Sequence, residues 1–346
     1  MEQWVQGLAR LAPEALETAR LRYYLLREIA HHQPIGRRQL AQNLKVSERS
    51  ARSELDWLRE RSAIITTGAG LVLTNEGEEL LRESDRLVPY LENLQGLARE
   101  LQVRFQLQEV VVVPGDSYVD GYAKKDLGRA GAATLKQYLF DGCSVAVTGG
   151  TTLRELAQAG MGERFPRVAM VLPARGGVGQ EMEDQANAIA AHIARNLDTT
   201  YRLLHIPDQL EPEAMHQLLH DRNIAELLSR IKNCDLVVFG IGSALEMATR
   251  RGISAQGIGV LEARQAVGEA FRHFFNEQGE VVYSLPGPGL DINDVSRVAT
   301  RIAVAGGSNK AKAMGAVLNG LPGGVLVTDE GAARTILTEF KNSGNA

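Results

Sequence analysis

The sequence predicts a mixed α/β protein in which a small, mostly helical N-terminal domain precedes a large, doubly wound sheet domain. Two patterns indicate this division. The first third of the chain carries apolar residues at helical spacing and one glycine-centred hairpin, whereas from Gln108 onwards short apolar runs alternate with helical stretches. With 346 residues, 44% of them hydrophobic and 23% charged, the chain is long enough for two or three domains that each bury a core.

Composition argues against several classes of protein. No apolar run approaches the roughly 20 residues that span a bilayer, and the first residues lack the pattern of a secretory signal. Cys143 and Cys234 are far apart and form no disulfide or metal framework. His216 and His220 are four residues apart, but no HExxH pattern or acidic third ligand accompanies them. We therefore expect a cytoplasmic protein with no membrane span and no metal. Because a catalyst has no use for the helix-turn-helix described below, we also expect no catalytic residue and no cofactor.

Charge is unevenly distributed along the chain. The whole sequence has a formal net charge of −4, which by itself argues against a nucleic-acid-binding protein. The segment from Arg20 to Arg61, however, contains nine Arg and one Lys but only four Glu and one Asp. A basic segment inside an acidic chain is expected when one small domain contacts phosphates.

Helix signals in this basic segment predict a helix-turn-helix. A helix over 14–31 ends before Pro34 and Gly36, and a short helix covers Arg37 to Asn43. Ser47 is a favourable N-cap for a further helix that runs to about Arg61. In that helix Ala51, Leu55 and Leu58 form the inward stripe, while its N-terminal half presents cationic and hydroxyl side chains outwards, as a DNA-recognition helix requires. The candidate DNA-binding residues are Arg37, Arg38, Ser47, Arg49, Ser50, Arg52 and Ser53.

A hairpin and a leucine-rich linker follow. The segment IITTGAGLVLT has two short apolar runs around Gly68-Ala69-Gly70, which predicts a wing and completes a winged helix-turn-helix domain over residues 1–75. Residues 76–106 read as a helical linker that Thr74 caps and Pro89 kinks or interrupts. Leucines recur along it, and two roles are open: packing against a partner subunit, or lying on the same chain's C-terminal domain. These leucines are Leu80, Leu81, Leu87, Leu91, Leu94, Leu97 and Leu101.

Residues 107–346 are predicted to form one α/β domain. Continuous Val/Ile/Leu runs separated by helices favour a mainly parallel sheet that is covered on both faces. The predicted strands are Val110–Val113, Val145–Thr148, Val168–Leu172, Leu203–Ile206, Leu236–Phe239, Val281–Leu285, Ile302–Val304 and Val325–Thr328.

Three glycine-rich loops follow strands of this domain and predict an anion site. They are residues 148–152 (TGGTT), residues 239–243 (FGIGS) and residues 305–310 (AGGSNK). Glycines let the backbone approach an anion, and N–H groups at a helix start point towards it. Arg175, Arg250 and Lys310 are expected at the same sheet edge. Each of them taken alone is best interpreted as a solvated surface charge, but three cations beside three glycine loops favour an anionic ligand. Gln185 and Glu269 are candidates to orient hydroxyl groups, with a surface role as the alternative.

The order of these features resembles the SorC/DeoR group of sugar-responsive repressors over nearly the whole chain. The resemblance rests on the winged helix-turn-helix, the leucine-rich linker, TGGTT, the R-G-G that follows a strand, and AGGSNK. It implies an effector domain similar to the sugar-phosphate isomerase fold, a Rossmann-like sheet that has become a sensor. It also implies repression of the operon for the triose-phosphate steps of glycolysis, relieved by fructose 1,6-bisphosphate.

The same resemblance implies roles for the residues of the anion site. Gly149, Gly150, Thr151 and Thr152, together with Arg175, would hold one phosphate. Arg250 and Lys310 would hold the other phosphate. Gln185 and Glu269 would contact the sugar hydroxyls.

We therefore expect a transcriptional repressor, and not an enzyme, whose partners are double-stranded operator DNA and a sugar phosphate. We expect a homodimer or homotetramer that places recognition helices in successive major grooves. The alternative is a sugar-phosphate isomerase-like enzyme with an appended regulatory domain, in which Glu269 would move the proton. A third hypothesis is that the helix-turn-helix is a protein-interaction module. The salt dependence of its affinity would distinguish this hypothesis from DNA binding, because affinity that rests on phosphate contacts falls steeply as salt rises.

Overall fold

The computed structural model describes residues 7–8, 10–85, 94–160, 167–177, 182–208, 210 and 212–343. The chain divides into two compact units, residues 1–95 and 96–346. Across the described ranges, no helix is both long and apolar enough to cross a membrane.

The N-terminal unit contains the helix-turn-helix and the hairpin that the sequence predicts. Each predicted element agrees with the structure to within about a residue. The helices are α1 (Pro13–His32), α2 (Arg37–Asn43), α3 (Glu48–Glu60) and α4 (Asn75–Asp85), and the strands are β1 (Ile64–Thr66) and β2 (Leu71–Leu73).

Apolar side chains of the three helices form one core. Leu25 and Ile29 of α1 and Leu40 of α2 are completely buried, and they pack in one cluster with Leu55 and Leu58 of α3. Each of these residues lies on one stripe of an amphipathic helix, so burying the stripes against each other fixes how the helices pack.

The recognition helix α3 starts where the sequence predicts. The Ser47 hydroxyl oxygen accepts the N–H of Ser50 at 3.0 Å, which satisfies an N–H that the helix cannot bond internally. Ala51 is 1% exposed, and its small side chain lets α3 lie close to its neighbours.

The hairpin forms a compact wing. Strands β1 and β2 pair antiparallel, and Ile35 adds an antiparallel bridge to Leu71. Gly70 has a φ of +148°, and a Cβ there would lie 2.8 Å from the carbonyl oxygen of Ile35. Glycine is therefore required where the wing meets the segment before α2.

The predicted linker begins with α4 and includes α5 (Leu94–Arg104). Thr74 accepts the N–H of Gly77 at 3.1 Å, as expected of a cap. Leu80 and Leu81 pack against the N-terminal core of the same chain. Leu94 and Leu101 are buried as well. The predicted break at Pro89, with Leu87 and Leu91, lies outside the described residues.

The C-terminal unit contains a six-stranded parallel sheet. Its strands are β3 (Glu109–Val113), β4 (Ser144–Val147), β5 (Met170–Pro173), β6 (Leu236–Phe239), β11 (Thr300–Val304) and β12 (Val325–Asp329). Their order across the sheet is β3-β12-β11-β6-β4-β5. Its α-helices after α5 are α6 (Gly121–Tyr138), α7 (Thr151–Gln158), α8 (Ala186–Asn196), α9 (Pro212–Leu218), α10 (Arg222–Lys232), α11 (Ala244–Arg250), α12 (Ala255–Ala263), α13 (Ile292–Arg297), α14 (Ala311–Gly320) and α15 (Glu330–Ser343).

Both faces of this sheet are covered. Val145 and Val147 point into one core cluster, while Ala146 between them is equally buried outside that cluster. Val237 is likewise buried between Leu236 and Val238. Because neighbouring residues of a strand face opposite sides, burial of both identifies a doubly wound sheet, and the predicted fold class is confirmed.

Three predicted strands require correction. Leu203–Ile206 is not a strand, because the side-chain amide of Asn187 bonds both the N–H and the carbonyl of Leu204 and replaces a strand partner. The strand predicted over Val168–Leu172 begins two residues later, at Met170. The run Val281–Leu285 forms strand β10 (Val281–Ser284), but this strand belongs to a different sheet.

That second sheet is antiparallel and was not predicted. It contains β7 (Gly242–Ser243), β8 (Gly268–Ala270), β9 (His273–Phe275) and β10, in the order β10-β9-β8-β7. Strands β7, β8 and β9 have only two or three residues each and show no apolar run in the sequence, whereas the four-residue β10 does.

Candidate functional site

The sheet topology creates a crevice between β4 and β6. From β4 the chain moves outwards to β5, whereas from β6 it moves the other way through β11 and β12. Loops that leave adjacent strands in opposite directions open a gap at the carboxyl edge, where ligands of doubly wound proteins bind. The TGGTT loop follows β4 and the FGIGS loop follows β6.

The TGGTT loop joins β4 to the start of α7. The Gly150 backbone has a φ of +130°, a conformation that favours glycine, and its N–H donates to the carbonyl oxygen of Asp184 at 2.8 Å. Thr151 and Thr152 are half-buried in the first turn of α7, where helix N–H groups lack internal partners. Thr148 accepts the N–H of Gly240 at 3.2 Å, which ties this loop to the FGIGS loop.

The predicted cations gather around this loop. A Cβ on Gly149 would lie 2.4 Å from the carbonyl oxygen of Asp184, so glycine permits the close approach of that segment, while Arg175 Nη2 would be in ordinary van der Waals contact at 3.5 Å. Burial, and secondly the charge of Arg251, lowers the pKa of Arg175 below its usual value. Arg250 lies at the end of α11 and its Nη2 donates to Asp184 Oδ2 at 3.2 Å.

All nine residues predicted to bind a ligand line one cavity at this edge. They are Gly149, Gly150, Thr151, Thr152, Arg175, Gln185, Arg250, Glu269 and Lys310. Their contact with a ligand stays a prediction.

A buried charge network underlies one wall of the cavity. Glu269 in β8 is 4% exposed, and its Oε1 accepts from Arg251 Nη2 at 2.5 Å and from the backbone N–H of Arg272 at 2.8 Å. Arg251 also bonds Asp208, and both side chains are buried. These contacts fix the position of the Glu269 carboxylate at the cavity surface.

Two carboxylates hold the AGGSNK loop, which carries Lys310. Asp329 is completely buried and accepts the N–H of Gly307 at 2.8 Å. A Cβ on Gly306 would lie 2.3 Å from Asp329 Oδ2, so the loop closes around that carboxylate. Asp116 accepts the hydroxyl of Ser308 at 2.6 Å. Burial raises the pKa of Asp329 despite its bonds to backbone N–H groups.

The supporting residues were not found from the sequence. Asp184, Arg251 and Asp329 lie outside the glycine loops, and each meets its partner only through contacts between distant parts of the chain. One local signal was present: Arg251 adjoins the predicted Arg250 in the sequence. Their opposite exposure depends on the end of α11, which the sequence does not locate to a single residue.

The candidate nucleic-acid interface lies at the N-terminal half of α3. The seven predicted residues are exposed, and four of them border one depression. Those four are Arg37, Arg38, Arg49 and Arg52. Glu48 also borders it, with its carboxylate 3.8 Å from Arg38 Nε. DNA contact by these residues stays a prediction.

Other cations of the basic segment have structural roles. The guanidinium groups of Arg22 and Arg61 lie 3.5 Å and 3.9 Å from the ring centroid of Trp57, and Arg22 also pairs with Glu54 at 2.6 Å. Arg59 pairs with Asp56. The local positive charge available to a nucleic acid is therefore concentrated on α2 and the start of α3.

Comparison with known proteins defines the class of protein. Residues 90–338 match the Sugar-bind family, a sugar-binding domain, and residues 19–88 match the CggR N-terminal DNA-binding domain. A solved SorC-family transcriptional regulator from Enterococcus faecalis is 36% identical, with a TM-score of 0.65 over 70% of this chain and 99% of that chain. The chain belongs to the SorC family of sugar-binding transcription regulators.

Two relatives are similar over nearly their whole length. The central glycolytic genes regulator of Priestia megaterium is 40% identical, covering 98% of this chain and 100% of that protein. The central glycolytic genes regulator of Bacillus subtilis is 37% identical with the same coverage. The full-length sorbitol operon regulator SorC from Klebsiella pneumoniae, 20% identical with a TM-score of 0.66 over 92% of this chain and 98% of that chain, shares the fold.

Proposed function

We propose that this protein is a repressor of a glycolytic operon that leaves its operator DNA when it binds fructose 1,6-bisphosphate or a related sugar phosphate. The names of the two full-length relatives support the glycolytic assignment. A protein with this role acts on DNA in the bacterial cytoplasm.

The observation that carries the effector assignment is the composition of the cavity at the carboxyl edge of the parallel sheet. It combines three cations, Arg175, Arg250 and Lys310, with a glycine loop at the start of α7. Guanidinium, ammonium and helix N–H groups are the donors that proteins use for phosphate. Gln185 and Glu269 line the same cavity and supply partners for sugar hydroxyls.

For DNA, we propose that α3 enters the major groove and that the wing lies along the backbone. Arg49 and Arg52 then contact bases or phosphates, and Arg37 and Arg38 contact the backbone. Ser50 and Ser53 are within the same exposed surface, while Ser47 contributes through its cap to α3. A homodimer or homotetramer would present recognition helices to successive grooves.

The enzyme alternative is less well supported. An isomerase needs a carboxylate that accepts and returns a proton. Glu269 is the candidate, but its Oε1 already accepts from the Arg251 side chain and the Arg272 N–H. This arrangement suits a fixed hydrogen-bond acceptor for a ligand better than a group that exchanges protons.

Calorimetric titration tests the proposed effector. We expect tight binding of fructose 1,6-bisphosphate and much weaker binding of fructose 6-phosphate, because the monophosphate leaves part of the cationic set without an anion. Equal affinities would contradict the requirement for two phosphates. Absence of binding by both sugars would remove the proposed effector.

A further inference from the structure

Asp184 contacts two hydrogen-bond donors at the cavity, the Arg250 guanidinium group and the Gly150 N–H, that an anionic ligand could otherwise bind. Its carboxylate is 4% exposed, and Arg250 Nη2 donates to Oδ2 at 3.2 Å. Its main-chain carbonyl oxygen accepts the N–H of Gly150 at 2.8 Å. A single residue therefore engages a cation and a loop N–H that both belong to the predicted ligand site.

The Asp184 carboxylate fits this position imperfectly. Arg154 Nη1 lies 3.0 Å from Oδ1, yet no donor is aligned for a hydrogen bond with that buried oxygen among the described residues. A carboxylate has one negative charge and two oxygens. A phosphate monoester has a charge of about −1.5 to −2 at neutral pH and three acceptor oxygens. The cluster of Arg154 and Arg250 is thus better matched to a phosphate than to the carboxylate that holds it.

We propose that Asp184 is a resident anion that competes with a phosphate group of the ligand for Arg250. It thereby sets how much negative charge a ligand must carry to occupy the site. This inference rests on the proposed sugar-phosphate function and adds a specificity-determining residue to it. A ligand with a single negative charge does not displace the Asp184 carboxylate from Arg250, whereas a dianionic phosphate group does.

The neighbouring residue Glu246 provides a matched comparison. It lines the same cavity and lies one turn before Arg250 on α11. Its side chain is exposed, and it makes no ion pair in the part of the chain that the structure describes. Neutralising Glu246 removes the same charge from the cavity without releasing Arg250.

The test is calorimetry on the full chain with two probes, inorganic pyrophosphate and fructose 1,6-bisphosphate. We expect Asp184→Asn to bind each probe on the order of tenfold more tightly than the wild type, because Arg250 no longer has an ionic partner to release. Glu246→Gln should give a clearly smaller gain. In an Arg250→Ala background, Asp184→Asn should give a clearly smaller gain, because it then releases Arg154 alone.

Unchanged or weaker pyrophosphate binding by folded Asp184→Asn would overturn the inference, as would an equal gain in the Arg250→Ala background. Asp184→Ser, which also removes the carboxylate, replaces Asp184→Asn if thermal unfolding shows that the latter is not folded. If the wild type fails to bind fructose 1,6-bisphosphate, the proposed effector is wrong, while the pyrophosphate titration still decides the role of Asp184.

Discussion

At the scale of single residues, Arg250 and Arg251 are neighbours with different roles. The Arg250 side chain is 33% exposed and borders the cavity, where we propose that it exchanges Asp184 for a ligand phosphate. The Arg251 side chain is completely buried between Asp208 and Glu269. One position is therefore proposed to bind the ligand, and the next holds together the wall that supports Glu269.

Arg251→Met should destabilise the C-terminal unit by about 3–5 kcal/mol, because it leaves two buried carboxylates without their cation. The measurement is urea unfolding followed by circular dichroism. Arg250→Met is the matched control and should cost clearly less, since its side chain is partly in solvent. Equal losses for the two variants would show that the Arg251 network does not stabilise this wall.

His273 gives the stability of the protein a pH dependence. Its Nε2 accepts the N–H of Ile292 at 3.1 Å, which places the ring proton on Nδ1 beside Ser284 Oγ at 2.8 Å. Burial, and secondly the charge of Arg272, lowers the pKa of His273 below its ordinary value of 6.5. The unfolded chain then binds the proton more readily than the folded chain does.

Stability should therefore be present above pH 6.5 and be lost as the pH falls through 6.5 towards the lower folded pKa. Thermal unfolding from pH about 7.5 to about 5.5 tests this, with His273→Gln as the comparison. The wild type should lose more of its melting temperature over this range than the variant does. Parallel losses would exclude His273 as the cause.

At the scale of elements, a helix or strand can be predicted from the sequence when its apolar pattern is long and its stabilising contacts are between nearby residues. Helix α3 was predicted because its apolar stripe and its Ser47 cap are both written in adjacent residues. The antiparallel sheet is not evident from the sequence because β7, β8 and β9 have only two or three residues each, so that β10, which does show an apolar run, has no recognisable antiparallel partner. The false strand at Leu203–Ile206 has the apolar run of a strand, but the side chain of Asn187 takes the backbone bonds of Leu204.

The candidate site divides in the same way. Its glycine loops were predictable because they directly follow apolar strands in the sequence. The residues that support these loops were not predictable from the sequence. The contacts of Asp184 with Arg250 and of Asp329 with Gly307 join residues that are 66 and 22 positions apart.

The Ser47 cap should contribute about 1 kcal/mol to the N-terminal unit. Ser47→Ala removes the acceptor of the Ser50 N–H. Unfolding can be followed by fluorescence because Trp57 lies in α3 and no tryptophan follows it in the sequence. Ser53→Ala, in the same helix and exposed, should cause no loss. If Ser47→Ala leaves stability unchanged, the cap does not fix the start of α3.

At the scale of the whole molecule, binding of DNA and binding of sugar are assigned to different units. The basic residues near α3 belong to the first unit, and the cavity that we propose to bind a sugar phosphate belongs to the second. The overall charge of −4 conceals this separation, which appears only when charge is counted along the chain.

Variants in the two units should therefore affect the two activities separately. Arg52→Ala should weaken operator binding and lower the salt dependence of affinity by about one released counterion, while leaving sugar binding intact. Unchanged DNA affinity in Arg52→Ala would remove this residue from the interface.

Thr152→Glu should abolish the sugar response while leaving DNA binding intact, because it places a negative charge in the first turn of α7, where it repels a phosphate group. A normal response in Thr152→Glu would show that the TGGTT loop is only a turn.

The most direct test of the central claim is the affinity for promoter DNA of the glycolytic operon, measured by fluorescence anisotropy with increasing fructose 1,6-bisphosphate. We predict a loss of DNA affinity of roughly 5- to 150-fold, the usual range of allosteric coupling. Fructose 6-phosphate at the same concentrations should produce little loss. DNA affinity that stays constant while calorimetry shows the bisphosphate to be bound would contradict the account.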